Sequence, residues 1–286
     1  MKHTGWLIYN KEDAERNTSY INWFIKEAAL QHISLTLVLR ENLTIGIMND
    51  ERKILLNHSP AHLPDFAVIR TVEPILNLYL ETWGVRVFNS SVVSHMCNHK
   101  SITYHEMIKL KIPMVDTYFF KKEHVRHSPP LEYPFVMKES IGRSGKQVYF
   151  IQSNDDWNRY QHKLKTNDLI IQTCDVQLGK DLRVFVIGKK IIGAVMRENK
   201  DDFRANFNLG GTAKWYSLNK SETSLIHRII HQYDFDLIGI DFLIDHNGFL
   251  LFNEIEDVVG SRILSATSDI NLLKKYAIHI KNRLTN

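Results

Sequence analysis

The residues best able to do chemistry together lie in one stretch, LIGIDFLIDHNGFLLFNEIE (237–256). Asn247-Gly248 is a favoured two-residue hairpin turn, because both positions tolerate positive φ. With those two residues as the loop, His246 faces Phe249, and counting outward sets Asp241 opposite Glu254 and Gly239 opposite Glu256. Side chains alternate between faces along a strand, so Asp241, Glu254 and Glu256 share one face. Ile240, Phe242, Ile244, Leu251 and Ile255 take the other. Directly opposed Cβ atoms sit about 5 Å apart, and unit charges so placed repel by roughly 3 kcal/mol at an effective dielectric of about 20. A single acidic pair would suit a solvated sheet face. Three acids on one face of an apolar hairpin point instead to a bound cation. All-oxygen ligands select Mg²⁺ or Mn²⁺, and Mg²⁺ usually keeps waters and substrate phosphates in its shell. The expectation is a metal-nucleotide site, and a three-residue loop would shift its pairing by one.

Phosphates need backbone N–H groups that approach closely, hence glycine, with a cation nearby. The candidate loop is Lys138-Glu-Ser-Ile-Gly142-Arg-Ser144-Gly145-Lys146, between two predicted strands. It is not a Walker A loop, since Ser140 falls at the first glycine position and Gln147 where the magnesium-binding hydroxyl belongs. No GxGxxG follows a strand, which argues against a dinucleotide fold. Histidines recur at HxxxH spacing at 58/62, 95/99 and 227/231. The 227/231 pair lies opposite the apolar face Leu225, Ile226, Ile229 and Ile230 and reads as solvated; the 58/62 pair brackets Pro60 in a loop. His95, Cys97 and His99 are the one trio worth testing for zinc, with local packing the favoured reading. Neither Cys97 nor Cys174 has an acid–base partner nearby in sequence that would make it a nucleophile.

The elements that must position these residues follow from periodicity. Trp6 to Tyr9, Leu35 to Leu39, Ala67 to Ile69 and Val85 to Phe88 read as short buried strands. Helical spacing at Ile21, Phe24, Ile25 and Ala28 and over 74–82 alternates with them, which implies a small parallel sheet with helices on its faces. A helix over 100–110 ends before Pro113. Tyr133 to Lys138, Gln147 to Ile151 and Leu169 to Gln172 are β-rich, with a helix over 155–164. Hairpins at 182–197 and 237–255 and helices at 222–233 and 269–284 complete the chain. The fold class is therefore α/β followed by α+β, in three lobes: 1–94, 95–172 and 173–286.

Composition bounds the rest. The chain has 286 residues, 44% of them hydrophobic, enough for real cores. The formal charge of +4 carries no basic stripe, so neither nucleic acid nor a membrane is an expected partner. Two cysteines and no signal-like apolar segment fit a reducing, cytoplasmic setting.

The segments NSSVVSHMCNHK (89–100), PFVMKESIGRSGKQV (134–148), IIQTCDVQLGKDLRVFVIG (170–188), DDFRANFNLGG (201–211) and GIDFLIDHNGFLLFNEIE (239–256) occur in the order found in ATP-grasp ligases. The chain from about residue 66 onward resembles the RimK-type branch, with DFRANFNLGG the most specific piece. The resemblance implies an ATP-grasp fold that binds ATP between its central and C-terminal lobes, with two Mg²⁺ ions. It implies nucleotide-phosphate roles for Lys100 and Lys138. It places the adenine edge at Gln172, Thr173 and Cys174 and the ribose near Asp181. Arg204 and Asn206 become ATP- and metal-side residues, with Arg204 the choice for transition-state charge. Asp241 and Glu254 match the family's metal carboxylates, reached independently by the register. Two positions depart from the family: Glu256 stands where Asn is usual, and His99 where Asp is usual. The 257–262 segment also differs from the usual loop.

The activity so implied is ligation of a carboxylate to an amine through an acyl-phosphate, with release of ADP and phosphate. The acceptor would be an amino acid, a peptide or a carrier protein, and by analogy the protein would be a homo-oligomer. A kinase that stops at a phosphorylated product and a non-catalytic nucleotide-binding module are the alternatives. Arg70, Arg143 and Arg262 are candidates for a substrate carboxylate. Arg262, with Ser261 beside it, ranks first because it follows the metal strand.

Overall fold

The computed structural model describes residues 3–125, 128–142, 147–205 and 210–285. The chain opens with β1 (His3–Tyr9), α1 (Lys11–Arg16), α2 (Thr18–Leu30) and β2 (Ile33–Leu39). It continues through β3 (Leu43–Met48), β4 (Glu51–Leu56) and β5 (Ser59–Pro60) to β6 (Phe66–Ile69), α3 (Pro74–Thr82) and β7 (Arg86–Phe88). β1, β2, β6 and β7 form the expected parallel sheet, ordered β2-β1-β6-β7. Every residue of β6 and most of β1 are buried, as near-continuous apolar strands must be when both faces are covered. β3, β4 and β5 form a separate antiparallel sheet that the strand–helix alternation does not predict. Its turns place Asn49, Asp50, Asn57 and His58 in the left-handed region, which Asn and Asp tolerate better than most residues.

Two helices, α4 (Ser91–Asn98) and α5 (Lys100–Lys109), lead to β8 (Thr117–Lys121), β9 (Phe135–Glu139), β10 (Val148–Ile151), α6 (Asn154–Tyr160) and β11 (Asp168–Thr173). The four strands form an antiparallel sheet ordered β10-β9-β11-β8. It has its own core of Phe135, Met137, Trp157, Leu169 and Ile171. The periodicity misses α4 and β8 and overextends α6, which ends at Tyr160 and tightens into a 3₁₀ turn over 161–163.

The third part comprises β12 (Lys180–Ile187), β13 (Lys190–Glu198), β14 (Thr212–Tyr216), α7 (Lys220–Gln232), β15 (Leu237–Ile244), β16 (Leu250–Glu256), α8 (Arg262–Thr267) and α9 (Leu272–Thr285). Its antiparallel sheet is ordered β14-β13-β12-β15-β16. A capping box between Asn219 and Glu222 starts α7. The helix expected over 269–284 proves to be α9 alone, beginning at Leu272, with the shorter α8 before it.

The two faces of this last sheet meet different neighbours. Leu182, Val184, Ile240 and Phe242 pack with residues of α5 and α7. Phe185, Val195 and Leu237 pack with Phe24 of α2, Tyr276 of α9 and the entry sheet. The entry and C-terminal sheets therefore share a core, while the central sheet builds one of its own and joins the C-terminal sheet through Ile170 of β11. Among the described residues no helix is long and apolar enough to cross a membrane.

Candidate functional site

β15 and β16 pair Asp241 with Glu254 and Gly239 with Glu256, the expected partners. The route to that register is different. Asp245 N donates to Phe249 O at 3.0 Å and Ile244 pairs with Leu250, so three residues close the loop and Phe249 faces Asp245 rather than His246. Asp245 Oδ1 accepts from the N–H groups of Asn247 and Phe249, at 2.9 and 2.7 Å. This local bonding favours the longer turn over the two-residue one. A bulge between Asp241 and Phe242 leaves Asn253 without an opposite number and restores the pairing. Two one-residue shifts cancel at the carboxylates. Between them the faces exchange: Leu250 and Phe252 enter the core, and Leu251, expected there, pairs with Leu243 on the other side.

Along the face shared by Phe185, Val195 and Leu237, apolar residues give way to charge. Arg197 on β13 opposes Asp181 on β12, Arg183 on β12 opposes Asp241 on β15, and Asp241 opposes Glu254 on β16. Opposite charges on facing strands attract, and here they are buried. Arg197 donates Nε to Asp181 Oδ1 at 2.5 Å and Nη2 to Asp181 Oδ2 and Asp241 Oδ2 at 2.7 and 2.8 Å. Arg183 grips Asp241 bidentately, Nε to Oδ1 at 2.7 Å and Nη2 to Oδ2 at 2.6 Å, and lies 2.8 Å from Glu256 Oε1. Asp241 is only 1% exposed. Burial alone would raise its pKa, but Arg183 and Arg197 outweigh burial and hold the carboxyl at about 2. Burial raises the Asp181 and Glu256 carboxyls, against the pull of Arg197 and Arg183 respectively.

The lysines approach from the other side of a cleft. Lys138 on β9 donates Nζ to Asn253 Oδ1 at 2.8 Å, and Tyr104 on α5 donates its hydroxyl to Asn253 O at 2.7 Å. The bulge thus presents one residue to both. Burial lowers the Lys138 ammonium to about 8, with Glu254 opposing the fall and Lys100 adding to it. Lys100 opens α5, donates Nζ to Gly142 O at 2.7 Å and stands 3.7 Å from Glu254. Asp241, Glu254 and Glu256 offer ligand oxygens all within 4.8 Å of one another, the one such set of three or more His, Cys, Asp or Glu among the described residues. By contrast His95 is exposed while Cys97 is buried in the core.

Lys100, Lys138, Asp181, Arg197, Asp241 and Glu254 line a cleft enclosing about 950 Å³ including its open mouth, a size suited to a nucleotide. Val136, Val148, Val176, Leu178 and Leu243 supply an apolar slot beside Gln172, Thr173 and Cys174. Gln172 is buried and bonds Thr117 Oγ1 at 2.8 Å, and Cys174 Sγ donates to Pro134 O at 3.1 Å. Gly142 and Arg204 also line the cleft. Arg204 donates Nε and Nη2 to Asp202 at 2.9 and 2.8 Å, and its guanidinium lies 5.3 Å from the Phe203 ring centre. Arg143, Ser144, Gly145 and Asn206 lie outside the described residues. Of the substrate candidates, Arg262 is exposed on α8, Ser261 is buried before it, and Arg70 lies in the entry lobe against Val259. Sequence reasoning passed over Arg183, Arg197, Tyr104 and Asn253. The signal for Arg183 was present: Asp181 and Arg183, two apart in an otherwise apolar strand, must share a face.

The model of the RimK-like ATP-grasp domain matches residues 98–280. Human N-acetylaspartylglutamate synthase A is 25% identical over 247 residues, 80% of this chain; the chain spans 63% of that relative's length. Glutamate–LysW ligase ArgX of Sulfurisphaera tokodaii is 26% identical over 230 residues, covering 76% of this chain and 82% of the relative. The ATP-grasp ligase PsnB, solved with a phosphomimetic variant of its minimal precursor, Mg and ADP, superposes with a TM-score of 0.72 at 12% identity, covering 100% of both chains.

Proposed function

This chain belongs to the RimK-like ATP-grasp family, and from that premise we propose that it is an ADP-forming carboxylate–amine ligase with an amino acid as one substrate. The observation that carries the reading is the buried charge ladder, which ends in three converging carboxylates across a cleft from Lys100 and Lys138. Four carboxylates (Asp181, Asp241, Glu254, Glu256) meet four cations (Arg183, Arg197, Lys100, Lys138). The cluster is near neutral before a ligand arrives, and ATP with two divalent ions, itself near neutral, enters without leaving buried charge unbalanced.

The donor set fits Mg²⁺. Oδ2 of Asp241 already accepts two hydrogen bonds and Oδ1 accepts one, which leaves Oδ1 a lone pair. Asp241, Glu254 and Glu256 would hold the metal, which when bound neutralises triphosphate charge. The apolar slot takes the adenine ring against Thr173 and Cys174, Asp181 lies toward the ribose, and Lys100, Lys138 and Arg204 reach the phosphates. Lys138 is well suited, because its buried ammonium gains a counter-ion when phosphate arrives. A substrate carboxylate oxygen attacks the γ-phosphorus as the bridging P–O bond to ADP breaks. An amine nitrogen then attacks the acyl carbon, the acyl C–O bond to phosphate breaks, and the nitrogen's proton passes to the departing phosphate. The cations offset the repulsion between anions that makes the first step slow. The lobes at 1–94, 95–172 and 173–286 divide this work, with the central sheet, which builds a core of its own, closing over the phosphates to exclude water.

The test is an ADP-release screen over pairs of amino acids and short peptides with Mg-ATP, followed by product mass. Amide product with ADP and phosphate in equal amounts supports the ligase. A phosphorylated product without amide makes it a kinase, and tight nucleotide binding without turnover makes it a binding module. Glu254→Gln is expected to abolish turnover and keep the fold; ligation retained in that variant defeats the metal assignment.

A further inference from the structure

Away from the nucleotide cleft, a second polar cluster lies where the entry sheet meets the loop after β16. The strand order β2-β1-β6-β7 reverses direction between β1 and β6. Parallel α/β sheets open a ligand crevice beyond the carboxyl ends of the strands at such a point. Tyr9 ends β1, and Arg70 directly follows β6. Arg70 donates Nε to the Tyr9 hydroxyl at 3.2 Å and Nη2 to Val259 O at 3.1 Å. Its guanidinium carbon lies 5.1 Å from the Tyr20 ring centre.

None of these partners carries a negative charge. Arg40, Arg183, Arg197 and Arg204 each face a carboxylate. Glu73, three residues from Arg70, is engaged by Arg40 at 2.5 and 2.6 Å. Among the described residues Arg70 has no ion pair, and a desolvated cation without a counter-ion is costly. The Tyr20 hydroxyl beside it is sealed from solvent with no hydrogen-bond partner, as is that of the next residue along, Thr71. Arg70 itself keeps part of its surface open.

We propose that Arg70, with Tyr9 and Tyr20, receives a spectator carboxylate of the substrate, one that is recognised but not activated. A carboxylate there supplies the missing counter-ion and accepts from Nη1 of Arg70 and, on a shift of the Tyr20 side chain that opens its sealed hydroxyl, from that hydroxyl as well. The position suits the reaction. Val259, which Arg70 holds, lies three residues beyond Glu256, at most about 11 Å along the chain, and its side chain sits over Gly239, the partner of Glu256. The inference rests on the ligase reading for the kind of molecule that arrives, but its test reads binding alone.

L-Glutamate, L-aspartate and citrate are titrated calorimetrically into wild-type protein, Arg70→Gln and Tyr20→Phe, each with Mg-ADP present. At least one should bind wild type, and Arg70→Gln should weaken it about tenfold or more while leaving the Kd of Mg-ADP unchanged. Tyr20→Phe should weaken it about threefold to tenfold without lowering Tm. That variant separates the readings, because a hydroxyl with no partner in the free protein has no structural bond to lose. For glutamate, comparison of its two monoamides identifies which carboxylate is held. The proposal is overturned if no probe binds wild type more tightly than Arg70→Gln, or if Tyr20→Phe binds as wild type does. Wild-type protein that fails to bind Mg-ADP overturns the ligase reading instead.

Discussion

Arg183 joins the sheet's charge ladder to the three carboxylates proposed to hold the metal, and removing it tests whether that ladder is a single energetic unit. It makes two hydrogen bonds to Asp241, at 2.7 and 2.6 Å, and pairs with Glu256 at 2.8 Å. Arg183→Met keeps most of the stem and deletes the charge. Breaking one side of a buried pair costs about 3–5 kcal/mol, because the other charge stays behind in a poorly solvated place. Arg197 still donates to Asp241 at 2.8 Å, so we expect the low end, about 3 kcal/mol, or a fall of about 6–12 °C in Tm. Asp241→Asn should cost about 2–3 kcal/mol by leaving two guanidinium groups under-compensated. The double variant removes both charges and should recover about 2 kcal/mol relative to the sum of the single losses. Urea unfolding of the four proteins measures this. Mg²⁺ should raise the Tm of Arg183→Met more than that of wild type, since an ion bound to the folded carboxylates replaces the deleted charge. Single losses that add to within about 0.5 kcal/mol, or an Arg183→Met protein as stable as wild type, would refute the reasoning.

Four further outcomes are expected. Lys138 titrates at about 8, so it passes from roughly one tenth to nine tenths neutral between about pH 7 and about pH 9. If only the ammonium form holds phosphate, nucleotide Kd rises about tenfold over that interval. Calorimetry should show Lys138→Met flattening the profile, and a constant wild-type Kd contradicts the role. The same depressed pKa means that the unfolded chain binds more protons between about pH 8 and about pH 10.5, so this lysine makes the ligand-free protein more stable as pH rises through that window. Gly179 has φ of +72°, and a Cβ there would meet Asn199 O at 2.2 Å and Asp202 O at 2.9 Å; Gly179→Ala should cost about 1–3 kcal/mol and weaken nucleotide binding by displacing the turn that carries Arg204. Glu256→Asn leaves the Asp241–Arg183 pair in place, so it should retain turnover but require more Mg²⁺; a magnesium titration of ADP release that matches wild type would remove Glu256 from the metal set.

Local signals made much of this protein legible in its sequence. The period-2 and period-3.6 patterns marked β1, α2, α3 and the β15–β16 hairpin, because burial of one face imposes those periods wherever the neighbour lies. The convergence of Asp241, Glu254 and Glu256 was also legible, since strand pairing across a short turn depends on residues close in the chain. Yet that result relied on a longer turn and the Asn253 bulge cancelling, and neither is visible in hydrophobic spacing. Arg183 and Arg197 became partners of Asp241 only when β12 was placed between β13 and β15, a choice made by long-range packing against α7 and the entry sheet. Arg70 meets Val259 across 189 positions, and no local rule links them. Alternation along a strand limits which residues can lie on one side of it, and long-range packing chooses which sides meet, because the free energy of burying charge is settled between strands distant in the chain.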